Sequence, residues 1–149
     1  MKSLVAYYSR TNITKKLAED IAAKTDADIE EIVSKVNYQG KIGFARGAKH
    51  ALSEKIIDIE DTKFDPADYD VVYIGSPIWA GKTAPPVISY LDENKEKFNN
   101  VKFFMTAAAD DFKSSFEQME KFSIKPLNTL GVHTKDVKNG DYDLDSFIE

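Results

Sequence analysis

The chain has 149 residues and a formal charge of −5, with 42% apolar and 30% charged residues, which suits a single globular domain. It contains no cysteine, which removes disulfides, thiolate nucleophiles, thiolate zinc sites and iron–sulfur clusters together, and its two histidines, His50 and His133, are too far apart for a metal-ligand spacing. The acidic balance argues against nucleic acid, no apolar run nears the ~20 residues of a membrane span, and the amino terminus has no signal-peptide pattern, so a cytoplasmic protein is expected.

Residues 4–8, Leu-Val-Ala-Tyr-Tyr, form a β-branched and aromatic run, the pattern of a buried first strand. Ile13, Leu17, Ala18, Ile21 and Ala22 then recur at helical spacing, predicting an amphipathic helix to about Lys24. Residues 28–33 read as a second strand with Ile29 and Ile32 as its apolar members. Gly40, Gly43 and Gly47 interrupt the next stretch, yet Phe44, Ala45, Ala48, Ala51 and Leu52 predict a helix around 42–54. Residues 69–76 contain the strong strand signal Val71-Val72-Tyr73-Ile74, and the Gly- and Pro-rich stretch 75–81 is expected to leave it as a loop. Thr83 is the expected cap of a helix whose first turn holds Pro85 and Pro86. Residues 101–106 are the fourth strand, Ala107-Ala108-Ala109-Asp110-Asp111 its exit, and Phe112, Phe116 and Met119 mark a further helix. Residues 131–137 are the last expected strand, with Leu144, Phe147 and Ile148 left to pack beyond it.

Strands alternating with helices imply a parallel sheet covered on both faces. Five strands suit the doubly wound order 2-1-3-4-5, an α/β fold whose ligands bind beyond the carboxyl ends of the strands at the switch between strands one and three. The loops after strands one, three and four converge there. Ser9, Thr11, Asn12 and Thr14 crowd the first loop just before a helix amino terminus. Unpaired N–H groups, the helix dipole and these side chains suit a phosphate, although Asn12 or Thr11 would suffice for an ordinary cap. The loop lacks the signatures of nucleoside-triphosphate and dinucleotide sites. Trp79, the only tryptophan, is either half-buried core or a surface for a planar ring. Ala107, Ala108 and Ala109 allow close backbone approach to a ring edge, or simply make a tight turn.

Ser9-Arg10-Thr11-Asn12-Ile13-Thr14 resembles the flavodoxin phosphate loop, Thr/Ser-x-Thr-Gly-x-Thr, and Gly75-Ser76-Pro77-Ile78-Trp79-Ala80-Gly81 before Pro85-Pro86 resembles that family's second flavin loop. Asn12 stands where the family usually has glycine, and the carboxyl-terminal helix is shorter than the family's. That leaves apolar surface for another chain or a shallow groove. The resemblance implies that Ser9, Arg10, Thr11, Asn12, Ile13 and Thr14 hold the phosphate of FMN. Ser76, Pro77, Ile78, Trp79, Ala80 and Gly81 would run along its ring, and Ala107, Ala108 and Ala109 would meet the pyrimidine edge. It implies no acid–base catalytic residue, because the flavin carries the chemistry. It further implies an electron-transfer carrier working with redox partner proteins, the alternative being an FMN-dependent NAD(P)H or quinone oxidoreductase, as monomer or homodimer. Asp110 and Asp111 either oppose negative charge on a reduced flavin or cap the helix that follows. Arg10 and Lys82 are either cations at the site mouth or solvated surface groups.

Two other classes with this topology do not fit. A phosphoacceptor domain needs an aspartate ending the third strand and acids after the first, where Gly75-Ser76 and Ser9-Arg10 stand, and a low-molecular-weight phosphatase needs a loop cysteine. Residues 136–149 carry a net −4, leaving −1 for the rest, which reads as a solvated face or as a docking surface for a basic partner.

Overall fold

A computed structural model describes residues 1–109 and 111–149. Five parallel strands make the main sheet: β1 (Ser3–Tyr7), β2 (Asp28–Glu31), β3 (Val71–Trp79), β5 (Val101–Ala107) and β6 (Thr129–His133). Their order across the sheet is β2-β1-β3-β5-β6, and the two-residue β4 (Lys82–Thr83) folds back antiparallel on the end of β3. Apart from that added strand, this is the doubly wound order expected of the sequence. Its direction reverses between β1 and β3, where Tyr8 N–H still donates to the Gly75 carbonyl at 3.1 Å.

Each face of the sheet buries a different set of side chains, as strand alternation requires. Val5, Tyr7, Tyr73 and Phe104 pack against Leu17, Ala18 and Ile21 of α1 (Ile13–Thr25), and against Val137 and Phe147 of α5 (Thr134–Asn139) and α6 (Asp145–Ile148). Leu4, Ala6, Ile74, Phe103 and Met105 pack against Val87, Tyr90 and Leu91 of α3 (Pro85–Asn94) and Met119 of α4 (Lys113–Lys121). A single 3-10 turn at Pro66–Asp68 leads into β3.

Four local expectations are corrected. Of the two apolar residues expected in the second strand, Ile32 is buried but follows the last residue of β2, and Ile29 is 39% exposed while Glu30 is 4% exposed. β2 is an edge strand, and on the face where Glu30 lies, Lys63 N–H and Phe64 N–H donate to its Oε1 at 2.6 and 2.9 Å, so the buried carboxylate is satisfied. Residues 75–79 do not leave β3 as a loop. The strand runs to Trp79 because Gly75, Ser76 and Pro77 stay in register with Phe104, Met105 and Thr106, and only Ala80 and Gly81 make the turn, with φ of 50° and 77°. Both positive angles suit a two-residue hairpin connection. Thr83 lies in β4 rather than capping α3. The N-cap is Ala84, whose N–H donates to Ser76 Oγ at 3.0 Å. Finally, the last strand stops at His133, and residues 134–137 begin α5.

α2 (Gly40–Leu52) forms where the periodicity places a helix, and the three glycines do not break it. Gly40 opens the helix at φ 73°, while Gly43 and Gly47 form its contact face. A Cβ on Gly43 would lie 2.3 Å from the Tyr38 carbonyl carbon, and one on Gly47 2.8 Å from the Trp79 ring. The closing helix is split in two at Gly140, which takes φ 68° as the C-cap of α5. A groove of about 520 Å3 lies at the amino-terminal end of the sheet, bordered by Val71, Tyr73, Lys102 and Leu127.

Candidate functional site

At the carboxyl ends of β1, β3 and β5 a cleft of about 250 Å3 is lined by residues of all three loops. Arg10, Thr11, Ile13 and Thr14 come from the first, Pro77, Ile78 and Trp79 from the end of β3, and Ala107 and Ala108 from the end of β5. Phe44, Thr106 and Thr134 also line it and were not among the site residues expected from the sequence. Phe44 arrives with α2, Thr106 with the inward alternation of β5, and Thr134 with the unforeseen start of α5. Only the last two could have been suspected, had the strand ends been placed correctly.

The first loop has the features an anion requires. Asn12 is the N-cap of α1 in the left-handed region, φ 69°, and makes no side-chain capping bond. Its unusual backbone is the one for which Asn is the best substitute for glycine. The first turn holds Lys15 and Lys16 and no acid, complementing negative charge at a helix amino terminus. The Ser9 hydroxyl oxygen is buried without a hydrogen-bond partner among the described residues. A buried orphan hydroxyl costs free energy, and here it stands in the turn that leads into an uncapped helix end.

Other predicted residues are occupied within the chain. The Thr14 and Thr106 hydroxyl oxygens, both buried, stand 2.8 Å apart and tie α1 to β5. Ser76 is fully buried. Its hydroxyl donates to the Pro77 carbonyl at 2.7 Å and accepts from Ala84 N–H, so it shapes the β3–β4 hairpin rather than the cleft. Ala80 and Gly81 form the hairpin tip, and they, with Ala109, stand outside the cleft lining, as do Ser9 and Asn12. Arg10 bridges two walls. Its Nε donates to the Tyr38 carbonyl at 2.9 Å, its Nη2 to the Gly40 carbonyl at 3.3 Å, and its guanidinium lies 5.4 Å from the Phe44 ring centroid.

Trp79 is half-buried in an aromatic box. Its ring meets Tyr8 edge-on at 5.6 Å and Tyr38 at 5.1 Å, with Gly47 packed against it. Burial pushes both tyrosine phenols up to about 12, so they stay neutral at physiological pH and supply shape rather than proton transfer. Tyr38 is 2% exposed, its hydroxyl 2.9 Å from His50 Nδ1, which makes it a packing residue. Asp111 accepts from Lys113 N–H in the first turn of α4 at 3.2 Å, although the N-cap itself is Phe112, and Asp110 lies outside the described residues. Among the described residues no cluster of His, Asp and Glu could hold a metal ion, and no helix is long and apolar enough to cross a membrane.

Residues 2–130 match the protein family described as Flavodoxin. In three dimensions the chain is similar to a flavoprotein from Lactobacillus acidophilus crystallised in complex with FMN, at 28% identity and a TM-score of 0.76 over 99% of both chains. It is also similar to a flavoprotein from Bacteroides eggerthii, at 22% identity and a TM-score of 0.77 over 99% of this chain and 98% of that one. A flavodoxin, WrbA-like protein from Agrobacterium tumefaciens shares the fold at 15% identity and a TM-score of 0.55, covering 81% of this chain and 70% of that one. No curated protein matches the chain.

Proposed function

The chain belongs to the flavodoxin family, and from that premise we propose that it binds FMN in the three-loop cleft and works as an electron carrier between proteins. The observation that carries this reading is the unpartnered, buried Ser9 hydroxyl beside an uncapped α1 amino terminus. A terminal phosphate satisfies both at once. The backbone of residues 9–14 and the Ser9 and Thr11 hydroxyls would hold that phosphate. Trp79 and Pro77 would bound one side of the ring, and Ala107 and Ala108 would let backbone groups approach its edge.

When bound, the flavin supplies one- and two-electron chemistry, and the chain binds it, orients it and limits access to it. A cleft of about 250 Å3 is below the ~300–1,000 Å3 of sites that enclose a whole ligand. That size supports a ring standing partly at the surface, as protein-to-protein electron transfer needs. Arg10, held by Tyr38 and Gly40, fixes the spacing between the phosphate loop and α2 rather than acting on substrate.

The test is an FMN titration followed by flavin fluorescence. Binding with quenching supports the site, and Ser9→Ala is expected to raise Kd by about tenfold or more, since a hydrogen bond to a charged group contributes about 1.5–3 kcal/mol. Absence of binding at micromolar FMN overturns the reading. Sustained NADH or NADPH oxidation with a quinone acceptor by the isolated protein would replace the carrier with an oxidoreductase on the same fold.

A further inference from the structure

Residues 38–55 carry a net +3, from Lys41, Arg46, Lys49 and Lys55 against Glu54, while the rest of the chain carries −8. None of these four cations forms an ion pair among the described residues, unlike Lys16 and Lys24, and the Glu54 carboxylate accepts from Gln118 Nε2 at 3.0 Å. The same segment, with Ile56 just after it, holds half of the large apolar side chains that stand exposed among the described residues: Ile42 at 76%, Phe44 at 60%, Leu52 at 62% and Ile56 at 49%. With Gly43, Gly47 and Ala51 facing inward, α2 turns its cations and its aliphatics outward together. One flank of this face ends at Phe44, which lines the cofactor cleft.

We propose that the outward face of α2, with residues 53–56, docks an acidic protein partner whose surface offers an apolar depression for Ile42 and Leu52, and that electrons pass at the Phe44 flank. The proposal rests on the carrier reading above and adds the partner's chemistry to it. Unpaired cations set among exposed aliphatics fit an anionic protein rim around an apolar centre. A lipid surface fits less well. Interfacial helices separate their apolar and charged faces, whereas here Lys41 adjoins Ile42 and Lys49 lies a turn before Leu52, so inserting the aliphatics would drag lysines into the acyl region. The molecule's −8 remainder repels an acidic partner at long range and orients it. At about 0.1 M salt that repulsion is screened beyond ~10 Å, while contact pairs persist.

The experiment is an amide NMR titration of the FMN-loaded chain at about 0.1 M salt, with an acidic [2Fe–2S] ferredoxin as probe. Expected are shifts confined to residues 41–56 and the Phe44 flank, at least a tenfold loss of affinity in Lys41→Glu/Lys49→Glu, and a smaller loss in Leu52→Ser. FMN affinity should be unchanged in each. Shifts confined to residues 136–149, shifts seen only with a basic probe such as cytochrome c, or no response to the charge reversals would overturn the proposal. Concentration-dependent shifts without probe would assign the face to a second copy of this chain, and co-sedimentation with phosphatidylglycerol vesicles to a membrane. Either result also overturns it. The titration reads docking whether or not flavin is present, so a failure to bind FMN is seen separately, in the flavin spectrum.

Discussion

Residues 134–149 and α2 are opposites in charge and in how they use it. The acidic segment turns two of its five acids, Asp143 and Asp145, to internal bonds. Asp145 pairs with Lys24 at 2.7 Å, Asp143 caps α6 through Asp145 N–H and Ser146 N–H, and the Tyr142 hydroxyl donates to Asp20. Beneath these contacts Val137, Leu144 and Phe147 are buried. α2 does the reverse, meeting the molecule through glycines and sending its cations out. The acidic run in the sequence reads as a solvated face or a docking surface, and in the structure part of its charge is taken up internally, whereas none of the four cations at residues 38–55 has an ion pair among the described residues. Net charge locates a surface only after internal partners are subtracted.

Five changes would break or sharpen that contrast. The largest effect is expected from Phe147→Ala, which removes a side chain 2% exposed and stacked edge-on to Tyr73 at 5.6 Å. It should cost about 3–5 kcal/mol in chemical denaturation, and a loss below ~1 kcal/mol would mean that the tail is not anchored by its core. Next, Gly43→Ala sets a Cβ against the Tyr38 backbone and should cost about 1–3 kcal/mol. A neutral result would show that α2 can lift from Tyr38.

Tyr142→Phe deletes a hydroxyl that donates to Asp20 and accepts from Lys16 at 3.3 Å. It should cost about 1 kcal/mol if the acidic segment is internally bonded in solution, and nothing if it is merely solvated. Ala80→Gly should gain about 1 kcal/mol, or roughly 2–4 °C in Tm, because Ala80 sits at φ 50° where an L side chain is strained.

The smallest effect concerns pH. Burial first, then Lys55, Arg46 and Lys49, hold the His50 imidazole below its ordinary 6.5. Below 6.5 the unfolded chain takes up a proton that the folded chain still refuses, so stability falls as pH drops from 6.5 towards the folded-state value. His50→Gln should flatten that slope in urea melts at a series of pH values. An unchanged slope would mean that the fold does not hold His50 below its ordinary value.

Much of the fold was legible because its signals are local. Leu4-Val5-Ala6 and Val71-Val72-Tyr73-Ile74 are buried on both faces of a parallel sheet and so read as continuous apolar runs. The heptad-like spacing of Leu17, Ala18 and Ile21 faces one wall of the core. Most of the cleft lining was legible too, since strand-end loops of a doubly wound sheet must converge. Phe44 was not legible as a cleft residue, because its place depends on how Gly43 meets the Tyr38 backbone and on Gly47 meeting Trp79, which lies far along the chain. The end of β3 was misread because Gly75 and Pro77 are poor strand residues by local preference. The register with β5, and Gly75 lying where any Cβ would meet the Phe104 ring, outweighed that preference.

The amino-acid sequence by itself determined the α/β class, the alternation of strands and helices and the polar loop that opens α1, because hydrophobic period, helix starts and short polar side chains act within a few residues of where they stand. The tertiary structure decided which charges remain free, which glycines are contact surfaces and how far β3 runs. Those outcomes depend on partners distant in the chain: Gln118 holding Glu54, Tyr38 holding Arg10, Lys24 holding Asp145. A side chain's local chemistry states what it can bond, and only the packed neighbourhood states whether something inside the molecule has already bonded it.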